Sequence, residues 1–160
     1  MRVYRICKKI YRASAYTGAG ARLYPGRWNE PDVPMVYTAA SESLALLELL
    51  IHLQPHAIQT MTREYEVLAA DIDAGVPILS IQPPDLPPSW DSHPPGPLTR
   101  QMGSRWITSL SSAVLEVPSV VVPTELNYLI NPHHLDCKRI RLVPGYPVSL
   151  DPRLLKLLVP

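Results

Sequence analysis

Proline occupies 19 of 160 positions, and phenylalanine occupies none. Each proline fixes φ and deletes a backbone donor, so these residues belong in turns, strand edges and loops. Long helices can form only in the few proline-free windows. The expectation is an α+β fold of short strands, few helices and many irregular, Pro-rich connections. The length is that of a single compact domain over 1–160, since one core usually runs to roughly 100–200 residues. A hydrophobic fraction of 46% is enough to bury a sizeable core.

Charge and targeting signals narrow the function. Lys and Arg number 15 against 14 Asp and Glu, a formal +1. Without a basic excess the chain is not expected to bind nucleic acid directly. The apolar runs LALLELLIHL and SVVVP fall short of the roughly 20 residues that a membrane span needs. The opening MRVYRICKKIYR is too polar for a signal-peptide core, so a cytoplasmic location with no membrane association is expected. Cys7 and Cys137 form neither a disulfide framework nor a CxxC metal pair and read as free thiols.

Strands are expected at 2–7, 35–39 and 139–143, with 64–72 and 76–81 flanking a turn at Asp73–Gly75. The best helix is 42–53, with Ser41 as N-cap and Pro55 marking its end. Its leucines point in nearly every direction, which predicts burial on most faces. A helix over 98–111 would turn Trp106 and Ile107 inwards, and 114–122 reads as a core strand interrupted at Pro118. NYLINP at 127–132 reads as turn-prone, and a last helix opens with Asp151 as N-cap and Pro152 at its first position. Residues 17–34 and the seven-proline stretch 82–97 read as loops, the second as a solvated surface loop.

Three anomalies carry chemical interest. Glu48 lies inside the apolar stripe of the 42–53 helix. A buried carboxylate needs a partner or a raised pKa, so it is either a structural ion-pair residue or an active-site group. Arg27-Trp28-Asn29 follows Gly18, Gly20 and Gly26, where the backbone can approach a ligand and Arg offers a planar fork for phosphate oxygens. The plain alternative is a Trp on the core and a solvated Arg, and Arg22 is a rival for the same role. Ser119 is a lone hydroxyl in an apolar strand, without the GxSxG elbow of a hydrolase nucleophile. There is also no Walker motif or GxGxxG fingerprint. His133, His134 and Cys137 match no standard zinc pattern, and His52 reads as a core histidine.

Together these segments resemble the RES domain, the toxin half of bacterial Xre–RES toxin–antitoxin pairs. The resemblance rests on GARLYPGRWNEPDVPMVYTAASESLALLELLIHL and, downstream, VPSVVVPTELNYLINPHH. It runs from Arg2 to about Val143. The family's Arg matches Arg27, its Tyr matches Tyr37, its Glu matches Glu48 and its Ser matches Ser119. Asn127 and Asn131 fall in its asparagine-containing segment. Two positions depart from the family pattern: Asp32 stands where a glycine is common, and Pro25-Gly26 replaces Gly-Gly. Both concern the loop's conformation more than its chemistry.

The resemblance implies a fold similar to ADP-ribosyltransferases and an enzyme that cleaves the nicotinamide–ribose bond of NAD, as glycohydrolase or phosphorylase. It implies Glu48, Arg27, Tyr37 and Ser119 as catalytic residues. NAD contacts would come from Arg27, Tyr37, Trp28, Asn29, Ser119 and Asn127, with NAD as substrate and no metal. The implied partner is an Xre-type antitoxin, in a complex where the toxin is a homodimer. The alternatives are a mono-ADP-ribosyltransferase acting on one cellular protein, or a catalytically silent partner of the antitoxin.

Overall fold

The structure is a computed structural model and describes residues 1–158. Its strands are β1 (Arg2–Lys8), β2 (Val36–Ala39), β3 (Tyr65–Ile72), β4 (Ile78–Ser80), β5 (Val114–Pro118), β6 (Leu126–Ile130) and β7 (Ile140–Pro147). Its helices are α1 (Ala19–Leu23), α2 (Glu42–Leu50), α3 (Pro55–Glu64), α4 (Pro97–Ser109) and α5 (Pro152–Leu158), joined by short 3-10 turns. The strands form one seven-stranded sheet in the order β4-β5-β6-β2-β1-β3-β7. Only β4 and β5 run parallel; every other pair is antiparallel.

The pairing of β1 with β2 positions the site. β1 and β3 pair along their whole length, from Arg2 opposite Asp71 to Lys8 opposite Tyr65. β1 and β2 meet only where Tyr4 lies opposite Ala39. The sheet is therefore nearly split in two, and the backbone edges beside that single pairing are free to line a cleft. Two apolar clusters span the halves, and a third lies on the β5–β6–β2 half alone. Val3, Val36, Ala70, Val114 and Ile130 form one, and Ile6, Ala39, Leu44, Met61 and Val67 pack under α2 and α3. Trp28, Met35, Trp106, Leu115 and Leu129 form the third.

Several sequence expectations hold. Ser41 caps α2, its Oγ accepting from the Leu44 N–H at 3.1 Å. Trp106 and Ile107 of α4 are buried, and Pro152 opens α5. The strands expected around a turn at Asp73–Gly75 are β3 and β4, which are not paired with each other: β3 takes β1 and β7 as neighbours, and β4 lies at the opposite edge beside β5. Other expectations need correction. The expected turn at 127–132 is β6, an inner strand flanked by β5 and β2. Tertiary partners satisfy the asparagine within it and the one just after it: Asn127 donates to Glu48 Oε1 at 2.6 Å, and Asn131, fully buried, donates to the Ile107 carbonyl at 3.0 Å. The strand expected over 114–122 stops at Pro118, where Ser119 Oγ accepts from the Val121 and Val122 N–H groups, both at 3.1 Å, and turns the chain.

The helix expected over 42–53 is shorter, and it is not covered on all sides. Leu44 and Ala45 are buried, whereas Leu47 and Ile51 are exposed. α2 lies on the sheet with one face, and among the described residues no second layer covers the other. Pro55 does more than stop α2: it opens α3, an amphipathic helix that buries Ile58 and Met61. The Asp32 departure leaves the loop's backbone intact, since Asp32 adopts φ 66, the left-handed region that a glycine would favour.

Candidate active site

Beside the split in the sheet lies a cleft of about 780 Å³, within the range of small-molecule sites. One wall is α2. The floor is β1 and β2, and the opposite wall comes from the Gly26–Trp28 segment, the Pro-rich loop and α4.

Glu48 projects from α2 into this cleft, and tertiary contacts fix its carboxylate. Its Oε1 accepts from Ser119 Oγ at 2.9 Å and from Asn127 Nδ2 at 2.6 Å. Among the described residues Oε2 carries no hydrogen bond. Ser119 is fully buried, and its hydroxyl is locked, donating to Glu48 and accepting from two backbone N–H groups. One oxygen is thus spent on orientation, and the other is left for a ligand. The turn that ends β5 and the first residues of β6 supply those two donors, which explains why a serine and an asparagine sit in otherwise apolar surroundings.

Tyr37 reaches the cleft from β2. Its hydroxyl donates to Asn29 Oδ1 at 2.7 Å and accepts from the Trp28 N–H at 3.0 Å. Burial pushes its phenol well above the ordinary tyrosine range. Asn29 is fully buried and does not line the cleft. Its Nδ2 donates to the carbonyls of Ala21, Glu30 and Val33, and its Oδ1 also accepts from the Gly26 N–H. With its amide saturated, Asn29 buttresses Tyr37 and the loop and has no polar atom left for a ligand. Gly26 serves the same packing: a Cβ there would stand 2.8 Å from the Tyr37 hydroxyl. Trp28 is almost wholly buried in the third cluster, with only an edge on the cleft.

Arg27 extends along the cleft wall. Its guanidinium donates to the carbonyls of Trp90 and Ser92 in the Pro-rich loop. Among the described residues no carboxylate lies within ion-pair reach of it. Two more guanidinium groups share the cleft. Arg100 of α4 donates to the Gly26 carbonyl at 3.2 Å. Arg5 of β1 donates to the Tyr37 carbonyl at 3.3 Å, while its buried Nε has no partner. Burial lowers the pKa of both Arg5 and Arg27, and for Arg27 the nearby Asp91 and Glu48 carboxylates offset part of that effect. Three guanidinium groups on one cleft, one of them with a buried Nε that has no acceptor among the described residues, suit an anionic ligand. The rival residue Arg22 is exposed and does not line the cleft.

The cleft therefore brings together Arg27, Tyr37, Glu48 and Asn127, with Ser119 directly behind Glu48. Reading the sequence missed Arg5, Arg100, Asp91 and His93, which also line it. A signal for Arg5 was present: it shares strand parity with Val3 and Cys7, both buried, so a charge there is as anomalous as Glu48 in its helix. His52, read as a core residue, is exposed and lines the cleft one turn beyond Glu48, because α2 ends before the wall is covered. Among the described residues no group of three or more His, Cys, Asp or Glu side chains is placed to hold a metal. No helix among them is long and apolar enough to cross a membrane.

Comparison with known proteins agrees with this architecture. Residues 2–151 match the family described as RES domain. The chain is 40% identical over 155 residues to "Toxin Res" of Yersinia enterocolitica, covering 96% of this chain and 99% of that protein. It is 38% identical over 149 residues to the "Prs ADP-ribosylating toxin" of a Sphingobium species, covering 92% and 91%. Among solved structures, the crystal structure of the M. tuberculosis MbcT–MbcA toxin–antitoxin complex matches with a TM-score of 0.70 at 20% identity, covering 98% of this chain and 87% of that one. That likeness shows a common fold. With one family covering nearly the whole chain, and near-full-length relatives at this identity, the chain belongs to the RES domain family.

Proposed function

We propose that the chain is the toxin of a toxin–antitoxin pair and that its cleft binds NAD and breaks the nicotinamide–ribose bond. The observation that carries this reading is a carboxylate oriented by two donors that shares a cleft with three guanidinium groups, none of which forms a salt bridge among the described residues. A dinucleotide diphosphate supplies an anion, with Arg27 and Arg5 as its partners. The names of the curated relatives support the toxin role, and the Sphingobium relative's name supports chemistry on ADP-ribose.

In the proposed reaction the glycosidic C–N bond breaks, and both its electrons pass to the pyridinium nitrogen, releasing neutral nicotinamide. Positive charge develops on the ribose as an oxocarbenium-like centre. Glu48 offsets that charge across a short distance in a partly desolvated cleft, where a fixed carboxylate acts more strongly than water does. Ser119 and Asn127 keep it from rotating away. The ring of Tyr37 orients the nicotinamide end. An acceptor oxygen then bonds to the anomeric carbon and gives up its proton to Glu48 or solvent. With water the product is ADP-ribose, and with phosphate it is ADP-ribose 1″-phosphate.

A second reading, transfer of ADP-ribose to a protein, is favoured by the Sphingobium relative's name. An Xre-type antitoxin is the proposed partner, and the near-neutral charge of this chain leaves any operator contact to it. The test is NAD turnover by the antitoxin-free protein, with and without phosphate and with products resolved by chromatography. Glu48→Gln keeps the acceptor oxygen for Ser119 and Asn127 but removes the charge, so it should abolish turnover with the fold intact. Arg27→Ala should weaken NAD binding. Labelled protein in place of free ADP-ribose selects the transferase reading, and untouched NAD in every condition refutes NAD cleavage.

A further inference from the structure

The Pro-rich loop, expected as a solvated connection, forms part of the cleft wall. Asp91, His93 and Pro95 line the cleft, and the backbone on either side of Asp91 grips Arg27. The acceptors are the carbonyls of Trp90 and, at 3.0 Å, Ser92. Carbonyls are neutral dipoles, so they fix the guanidinium without cancelling its charge. They occupy two of the five N–H donors of an arginine and leave the rest for a ligand. A carboxylate in their place would neutralise the group that the ligand needs.

The Trp90 side chain, together with Leu86, packs this loop against the body of the protein. Its indole lies 6.4 Å from that of Trp28, centroid to centroid, at 31° between planes. Trp28 directly follows Arg27, so one aromatic contact ties together the two segments that carry the guanidinium and its acceptors. Trp90 packs on the third apolar cluster, which includes Trp106, Leu115 and Leu129. The seven prolines over 82–97 restrict φ through the loop and lower the entropy lost when it docks.

We propose that Trp90 is a positioning residue: by docking on Trp28 it presets the Arg27 guanidinium for the diphosphate of the substrate. The proposal rests on the NAD reading for the identity of that substrate. Its consequence falls on binding, since a pre-ordered arginine spares the ligand the entropy of ordering it. The bond-breaking step, which depends on Glu48, is affected little.

The experiment is a double-mutant cycle over wild type, Trp90→Ala, Arg27→Ala and the double variant. KM and kcat for NAD are measured, together with the Kd for ADP-ribose by calorimetry, which needs no turnover. Trp90→Ala should raise KM and Kd by roughly 5- to 30-fold with kcat within about threefold, and Trp90→Phe should restore most of the loss. The double variant should bind no more weakly than Arg27→Ala alone. Effects that multiply, or a loss confined to kcat, overturn the proposal. If Trp90→Ala does not fold, Trp90→Leu keeps the apolar volume without the stacking plane and carries the same cycle. Wild-type protein that binds ADP-ribose, shows the coupling and leaves NAD intact refutes the reaction but not the positioning role. Wild-type protein that does not bind ADP-ribose overturns both.

Discussion

Ser119→Ala separates the stability of this site from its chemistry. The Ser119 hydroxyl makes three hydrogen bonds: it donates to Glu48 Oε1 at 2.9 Å and accepts from the Val121 and Val122 N–H groups at 3.1 Å. The substitution removes all three and creates almost no cavity. Val121 and Val122 are only half-buried, so water can replace part of what their N–H groups lose. The stability cost should then be about 1–2 kcal/mol, the lower part of the range for a disrupted buried polar group. At roughly 2–4 °C per kcal/mol for a chain of this size, the melting temperature should fall by about 2–8 °C. Glu48 keeps its bond to Asn127 but loses the second donor, so its carboxylate can rotate. A turnover loss of about 10- to 100-fold corresponds to about 1.4–2.7 kcal/mol of barrier. The assay is the initial rate of nicotinamide release well below the melting temperature, paired with a melt followed by circular dichroism. In a Glu48→Gln background the serine substitution should cost almost nothing further in turnover. Turnover within twofold of wild type, or a loss that persists undiminished in the Glu48→Gln background, would refute the assignment of Ser119 as the residue that orients Glu48.

Two further predictions concern parts of the chain away from Glu48. Burial pushes the Tyr16 phenol up to about 12, burial and the bond to Glu116 do the same for Tyr128, and Tyr37 is pushed higher still. The folded chain holds those protons where the unfolded chain has lost them, so stability is complete below about pH 10 and falls as pH rises through 10 to 12; an absorbance titration at about 295 nm should show early-ionising tyrosines and a late group that ionises with unfolding, and a single transition near the ordinary value for all eight would contradict it. Asp32→Gly should raise stability by up to about 1 kcal/mol, because Asp32 holds a left-handed φ of 66 and its side chain makes no hydrogen bond among the described residues, whereas Asp32→Val should lower it; chemical denaturation checks the order Gly, Asp, Val.

Much of the candidate site was legible before the fold. Glu48 and Ser119 stood out as polar residues in apolar runs, and the structure joins them by a hydrogen bond although 71 positions separate them. Arg27 and Tyr37 stood out through the loop and strand motifs that resemble the RES domain, and the structure places both on the same cleft. The α+β class followed from proline density, and the capping of α2 by Ser41 from local chemistry alone. These are features in which a residue's type conflicts with its neighbours or satisfies the backbone a few positions away, and such features are written locally.

Strand partners were not legible in that way. β4 follows β3 after a short turn yet pairs across the molecule with β5, because β1 and β7 already occupy both edges of β3. NYLIN looked turn-prone because asparagine has a local use in turns, and it became an inner strand because Glu48 and the Ile107 carbonyl offered partners from elsewhere in the chain. Arg5, His52 and the carbonyls of the Pro-rich loop entered the site through the near-split between β1 and β2 and the early end of α2. Periodicity and composition describe what each residue prefers within a few positions of itself. Which distant group answers a buried charge depends on how the sheet closes, and only the packed chain decides that.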